Sequence, residues 1–384
     1  MHKNFSGSSI IGSEKLTPYI KQHITMTKNN IIFISALLLA MFWAPNAQAG
    51  NPDRQGEAGA YELLINPYAR SAGLNGLITS RVTGVEAMRF NPAGIGRLNG
   101  RTEVTIGHAQ YMVGTGLSIN AAGLVQKIGE NSAFGVDLMS LSFGEIPLTT
   151  VNQPEGFATF KPSFFNIGIG YSYVFKDKAT GDEKVSVGFG MRVTSESIAN
   201  ASATGVTFDA GVQYVTGAHR QVKFGIAIRN IGTKMKFTGD GLSFVGIAPN
   251  STTALSVDQR AAGYEMPSLL HIGFSYDFLF PEEVNSNRIT ATANFTANSF
   301  SRDQYGLGLE YAFREMFMAR VGFKYENMMF DPARSGTASA GLTGGVTVEV
   351  PFKKGAAQRI GFDYAYEYTR VFKGTHSIGL KLTL

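Results

Sequence analysis

From Arg101 onward the chain repeats one pattern: about ten residues in which bulky apolar and small or polar side chains alternate, then a polar or glycine-rich turn. In one segment Phe165, Ile167, Ile169, Tyr171 and Tyr173 alternate with Asn166, Gly168, Gly170 and Ser172. In another, Val185, Val187, Phe189, Met191 and Val193 alternate with Ser186, Gly188, Gly190, Arg192 and Thr194. Ile360, Phe362, Tyr364, Tyr366 and Tyr368 alternate in the same way with Gly361, Asp363, Ala365 and Glu367. Side chains two apart share a face of a strand, so each segment reads as a strand with one bulky face and one small or polar face.

The character of the two faces decides what covers them. A soluble sandwich turns a face rich in Lys and Glu to water. Here the polar face is Gly, Ser, Thr and single charges, and the other face is aliphatic with aromatics towards the ends. That is the arrangement of a strand with lipid on one side and an enclosed interior on the other. Register carries the energy. A slip of one residue would turn Arg192, Asp277, Arg320 and Asp363 towards lipid, where an Arg or Lys at the midplane costs roughly 2–4 kcal/mol.

The predicted strands are 101–112, 115–127, 132–143, 163–175, 184–195, 204–215, 221–231, 266–279, 288–299, 304–313, 316–327, 339–350, 358–369 and 375–384. The fold class is therefore all-β: a transmembrane antiparallel β-barrel of about 14 strands, an even number as single-chain bacterial barrels have. In the third strand the phase shifts between Leu138 and Leu141, which predicts a bulge. The last strand keeps Ile378, Leu380, Leu382 and Leu384 in phase, as closure against the first strand needs. Short links at 127–131 and 314–315 fit one side of the membrane, and the long ones at 144–162 and 232–265 fit the outer side. The longest link contains Gly239-Asp240-Gly241, turn chemistry that predicts an extra hairpin rather than a further span.

Composition agrees and excludes alternatives. Charged residues make up 16%, against 45 Gly, 28 Phe and 15 Tyr, which is too apolar for a disordered chain. There is no Cys, so neither a disulfide scaffold nor a Cys-ligated zinc is available. The formal net charge is +5, and most of it lies ahead of residue 50, where Lys3, Lys15, Lys21 and Lys28 stand against Glu14. The remainder gives no argument for nucleic acid.

Ile31–Trp43 is a mostly apolar run, preceded by Lys28 and followed by Ala47-Gln48-Ala49. It is shorter than the roughly twenty residues of a spanning helix. A charged start, a short apolar run and an A-x-A site predict a signal peptide over 1–49, with Met26 as an alternative start. An uncleaved anchor helix is the competing reading. The chain's one Trp, Trp43, falls in this leader, leaving Tyr and Phe to form any aromatic girdle.

Residues 50–100 do not alternate. They contain EAGAYELLINPYARSAGLNG (57–76) and GVEAMRFNPAGIGRL (84–98), with Asn-Pro steps at Asn66-Pro67 and Asn91-Pro92 that each end a short helix or turn. Leu63, Leu64, Ile65, Met88 and Phe90 need burial, and the barrel interior of residues 101–384 offers it, so 50–100 is predicted to be a hatch. These two runs resemble the opening of the PorV/PorQ family of Bacteroidota, a branch of the FadL-like outer-membrane barrels. The match covers about 45 residues and centres on the motif Asn91-Pro92-Ala93-Gly94, just ahead of the first strand. The resemblance implies fourteen strands with an N-terminal hatch, an outer-membrane location and an association with type IX secretion. Its implied partners are translocon or attachment-complex proteins and exported cargo. The wider FadL-like group implies an alternative, transport of long-chain fatty acids or other hydrophobic small molecules. No substrate-binding residue carries over.

No catalytic constellation emerges. His108, His219, His271 and His376 lie on separate segments and read as single lumenal or loop histidines. The Gly-x-Gly pairs at 168/170, 188/190 and 306/308 sit at period two within strands, with no helix after them, so they read as room for the hatch rather than as phosphate loops. Arg192, Asp209, Arg229, Asp277, Glu310, Arg320, Lys324 and Asp363 are the candidate lumenal charge network; they either pair with one another and the hatch or line a pathway. The expectation is a non-enzyme without cofactor or metal, in contact with outer-membrane lipid. An outer-membrane hydrolase and a soluble periplasmic β protein are the readings it competes with. A transporter predicts an apolar pocket beside the hatch and an opening in the wall at the irregular third strand.

Overall fold

The computed structural model describes residues 49–177, 181–250, 252–279, 287–331, 333–352 and 358–384. All but the last residue of the expected signal peptide, Trp43 included, lies outside the described residues.

The strands are β1 (Thr102–Gln110), β2 (Ser118–Ile128), β3 (Ser132–Ser142), β4 (Ile146–Thr150), β5 (Gln153–Phe160), β6 (Ser163–Lys176), β7 (Glu183–Ile198), β8 (Ala201–Thr216) and β9 (Val222–Gly232). They continue with β10 (Ser243–Ile247), β11 (Ala254–Asp258), β12 (Leu269–Leu279), β13 (Asn287–Asn298), β14 (Gln304–Phe313), β15 (Phe317–Glu326), β16 (Ser339–Pro351), β17 (Arg359–Thr369) and β18 (Thr375–Thr383). Fourteen of them form one closed antiparallel barrel, and each predicted segment corresponds to one wall strand within a few residues. The remaining four make two separate hairpins, β4–β5 and β10–β11. The second lies in the 232–265 link, where an extra hairpin was expected, but it turns between Ile247 and Ala254, and Gly239-Asp240-Gly241 forms a separate turn ahead of it; the first falls in the 144–162 link, which carried no such expectation.

Closure is made by β1 and β18, paired from Glu103↔Thr383 to Gln110↔His376. The backbone N–H groups of Arg101 and Thr102 also donate to the Leu384 carbonyl, at 2.6 and 3.0 Å. A closed ladder satisfies every wall strand on both sides, which an apolar surroundings requires.

The faces sort as the alternation demands. Phe189, Ile226, Val321 and Phe362 are exposed on the outer wall, while Arg192, Asp209, Glu310 and Asp363 between them are buried. The third strand corrects its prediction. β3 pairs without interruption to β2 and to β6, so there is no bulge and no opening in the wall there. Leu138 faces out and Leu141 faces in; the apparent loss of phase arises because the interior at that height is apolar, with Ile119, Met139, Leu141 and Phe164 buried together. Register shifts occur instead between Phe208 and Ala210 on β8, between Ser339 and Thr343 on β16, and at the end of β6.

Connections divide by end. One end carries 129–131, 217–221 and 314–316; the other carries both hairpins. We call them the turn end and the loop end. The segment before β1 runs between them inside the barrel. Asn51 N–H donates to the Asn298 carbonyl at the loop end, 3.2 Å away. Near the turn end Arg97 donates to Ser186 Oγ at 2.7 Å and to the carbonyls of Glu183 and Lys184, each at 3.1 Å. Short helical turns at Tyr61–Leu64, Ala69–Ala72, Ala87–Phe90 and Pro92–Arg97 fold it into a plug. Leu63, Met88 and Phe90 are buried, and Leu64 and Ile65 are half-buried.

Candidate functional site

Lumenal glycines let this hatch approach the wall. A Cβ on Gly188 would meet the backbone of Pro92 and Ala93, and one on Gly322 would lie 2.6 Å from the Leu74 carbonyl carbon. Gly170 lies against Met88 and Ile95, and Gly306 against Leu77. The second glycine of a pair is not always needed: a Cβ on Gly190 would have 3.6 Å to its nearest neighbour.

Asn91-Pro92-Ala93-Gly94 is where the hatch is stitched to this wall. Asn91 Oδ1 accepts from the Ala93 N–H at 3.1 Å, capping the turn that follows. Its Nδ2 donates to the Thr79 carbonyl of the hatch at 2.9 Å and to the Val212 carbonyl of β8 at 3.1 Å. Ala93 accepts from Ser172 Oγ on β6 at 3.0 Å. Gly94 sits where a Cβ would strike the Val82 carbonyl. Asn91 and Gly94 thus have geometric reasons for their residue type, and the Ala93 backbone is a point of attachment.

Charges complete the attachment in three clusters. In the first, Arg192 holds Asp209 at 2.9 Å and Asp137 at 3.0 Å, and also donates to the Met88 carbonyl of the hatch. Hatch residue Arg89 brings its Nε within 2.7 Å of Asp137, off the hydrogen-bond axis, and donates through Nη2 to Asn166 at 3.0 Å. In the second, Glu310 receives Arg320 at 2.5 Å, Arg288 at 3.0 Å and hatch residue Arg81 at 2.6 Å. Asp277 pairs there with Lys223 and lies 3.7 Å from Arg288. In the third, hatch residue Arg70 spans Glu349 at 2.5 Å and Asp363 at 3.1 Å. Thr347, which accepts from Arg320 at 2.5 Å and donates to Asp363, joins the second and third clusters.

Of the eight predicted network residues, the structure thus places Arg192 with Asp209, Asp277 with Glu310 and Arg320, and Asp363 beside them. Arg229 and Lys324 make no ion pair among the described residues; they line a chamber. Asp137, Lys223, Arg288 and Glu349 were missed although each has the inward phase of its strand. Arg70, Arg81 and Arg89 had no periodic signal to place them.

Two of the histidines depart from expectation. His108 faces outward, with Nδ1 2.8 Å from Asn120 Oδ1, and His376 lies outward near the rim, 2.9 Å from the Tyr364 hydroxyl. Their neighbours Gly107, Ala109, Ser377 and Gly379 take the inward positions. His271 is lumenal and His219 is in an exposed turn.

The hatch leaves a chamber on either side. The loop-end chamber has a volume of about 380 Å³ and is bounded by Leu77, Phe90, Leu269 and His271 among others. The turn-end chamber, about 490 Å³, is bounded by Leu74, Ile78, Arg81 and Glu310 among others. One short stretch of hatch, residues 70–82, therefore forms the floor of one and the ceiling of the other.

Wall, plug and chambers define a plugged, closed β-barrel of fourteen antiparallel strands, of the membrane-spanning kind. A solved structure of the TodX deltaS2S3 mutant, a monoaromatic hydrocarbon channel, superposes with a TM-score of 0.52 at 14% identity, covering 82% of this chain and 97% of that one. The toluene transporter TbuX of Ralstonia pickettii and a FadL homologue of Pseudomonas aeruginosa each give 0.47 at 15% identity, covering 83% of this chain and 97% of theirs. No protein-family model and no curated protein matches the sequence.

Proposed function

We propose that the protein is an outer-membrane channel that moves hydrophobic small molecules through its lumen past a displaceable hatch. The observation that carries this reading is the pair of chambers divided by residues 70–82, with Leu77 facing one and Leu74 and Ile78 the other. The closed wall and the uninterrupted pairing of β3 support a route along the barrel axis, past a hatch that moves. The monoaromatic hydrocarbon channel that shares the fold supports this class of cargo. The exposed Ile, Phe and Val of the outer wall support an outer-membrane location. The test is entry of labelled toluene and labelled fatty acid into liposomes with and without the purified protein. Equal entry in both would sink the proposal.

A second reading, a PorV/PorQ-type role in type IX secretion, draws on the resemblance of residues 57–98 and on one structural observation. The two loop-end hairpins expose Val151, Phe157, Phe244, Val245 and Ile247 beyond the wall, as a protein-contact surface would. It predicts co-purification with translocon or attachment proteins and loss of secreted cargo on deletion. Normal secretion in the deletion strain would remove it.

A further inference from the structure

Arg229 is 5% exposed, yet its guanidinium makes no hydrogen bond and no ion pair among the described residues. It lies over the Phe90 ring, 5.7 Å from the centroid, on the wall of the loop-end chamber. The reason it stands apart is the register shift opposite Asp209. There β9 sets both Arg229 and Asn230 against one residue of β8, with Asn230 in the left-handed region at φ 58°. Such a bulge re-aims a side chain. Asp209 is already committed, accepting from Arg192 at 2.9 Å and from the Asn230 N–H at 2.7 Å. Arg89, Arg192 and Arg229 thus face two carboxylates, Asp137 and Asp209, and Arg229 is the surplus cation.

His271, on β12 in the same chamber wall, supplies a second donor. Its Nδ1 is 2.8 Å from Thr296 Oγ1, and that hydroxyl accepts from Asn294 Nδ2 at 3.3 Å. With the Thr296 hydroxyl donating to Nδ1, the ring proton sits on Nε2, which is buried without a partner. Lys324, Glu326 and Glu367 also line the chamber. Lys324 and Glu326 stand on β15, four strands round the barrel from β9, and Glu367 on β17, six strands round; Glu326 is engaged by Gln304 at 2.8 Å.

A buried guanidinium and an imidazole N–H without acceptors, beside Phe90, Leu77 and Leu269, are built for an anion carried on an apolar body. We propose that the loop-end chamber is a binding site for an organic oxyanion of aromatic size, a carboxylate or a phosphate, with Arg229 and His271 as its anion-recognising residues. This rests on the channel reading and narrows its cargo from hydrophobic small molecules at large to compact aromatic-sized anions.

The test is calorimetric binding to the full chain in nanodiscs, with benzoate, phenyl phosphate, benzamide and toluene as probes. Benzoate or phenyl phosphate should bind about tenfold or more tighter than benzamide, as one charge-assisted hydrogen bond implies, and the stronger of the two names the anion. Arg229→Gln should erase that preference. Arg229→Lys should restore part of it, and His271→Leu should weaken it, so the test survives a variant that fails to fold. Toluene binding and flux with no anion preference would overturn this inference and leave the channel reading standing. Failure of every probe to bind or pass would overturn both. A preference undiminished in Arg229→Gln would remove Arg229 from the site.

Discussion

Arg81 Nη2 lies 2.6 Å from Glu310 Oε1, and through that carboxylate the hatch is tied to β13, β14 and β15 at once. Glu310→Gln would leave Arg81, Arg288 and Arg320 crowded around a neutral amide. Loss of the common partner of a buried cluster costs about 3–5 kcal/mol. The variant should lose its heat-modifiable gel shift at a clearly lower temperature than the wild type. Arg81→Met, which removes one of three cations, should have a smaller effect.

If the hatch must move, fixing it should stop flux. The Cβ built on Gly379 of β18 lies 3.6 Å from Ala69 Cβ of the hatch, within the separation a disulfide bridges. The chain has no cysteine of its own, so Ala69→Cys with Gly379→Cys makes a single defined cross-link. Liposome entry should fall to background when oxidised and return with reductant. Undiminished flux through the cross-linked barrel would mean that this part of the hatch stays in place during transport.

Gly188 and Gly190 share a strand face but not an environment. Gly188→Ala drives a methyl into the Pro92 backbone, whereas Gly190→Ala has room. Overpacking of this kind costs about 1–3 kcal/mol, and more where the neighbour is backbone. Proteolysis of the hatch should accelerate in the first variant and stay at the wild-type rate in the second.

Ile169 is outward-facing within β6 and Val151 is fully exposed in the β4–β5 turn. Ile169→Arg should destabilise the barrel in liposomes by roughly 2–4 kcal/mol, and Val151→Arg by almost nothing. Equal effects would contradict lipid contact at Ile169.

Glu265, in the loop before β12, accepts from Arg54 at 3.1 Å and lies 3.4 Å from Lys234. Those two cations hold its carboxyl below its ordinary value of 4.5. A carboxyl lowered by folding contributes fully above its ordinary value, and the contribution fades as the pH falls through the lowered one. Amide exchange over residues 51–59 should therefore be flat from about pH 6 to 8, once corrected for intrinsic rates, and rise in protection loss only below 4.5.

The wall was legible because lipid and lumen impose a two-residue period that nothing else overrides. The pairs Phe165/Asn166 and Phe362/Asp363 carry that signal directly. It failed at Leu141, where an inward residue is apolar because it meets other apolar lumenal groups, so hydrophobicity stopped reporting direction. It failed again at His108, a polar residue turned outward beside Asn120. Inward charges on strands were findable by phase, as Arg192 was and Asp137 was not. Their partners Arg70, Arg81 and Arg89 lie in an aperiodic segment, where pairing depends on how turns stack in three dimensions. The isolation of Arg229 was out of reach for the same reason, since it follows from a bulge that only the pairing of β8 with β9 reveals.

The seam between β1 and β18 joins residues 103 and 383, about the widest separation in the sequence that the wall contains. The hatch touches both sides of it, with the Pro67 carbonyl at Gly107 and Ala69 at Gly379. The hatch therefore braces the two ends of the wall where they meet, and a chain deprived of residues 50–100 would have to close its circumference without a mandrel.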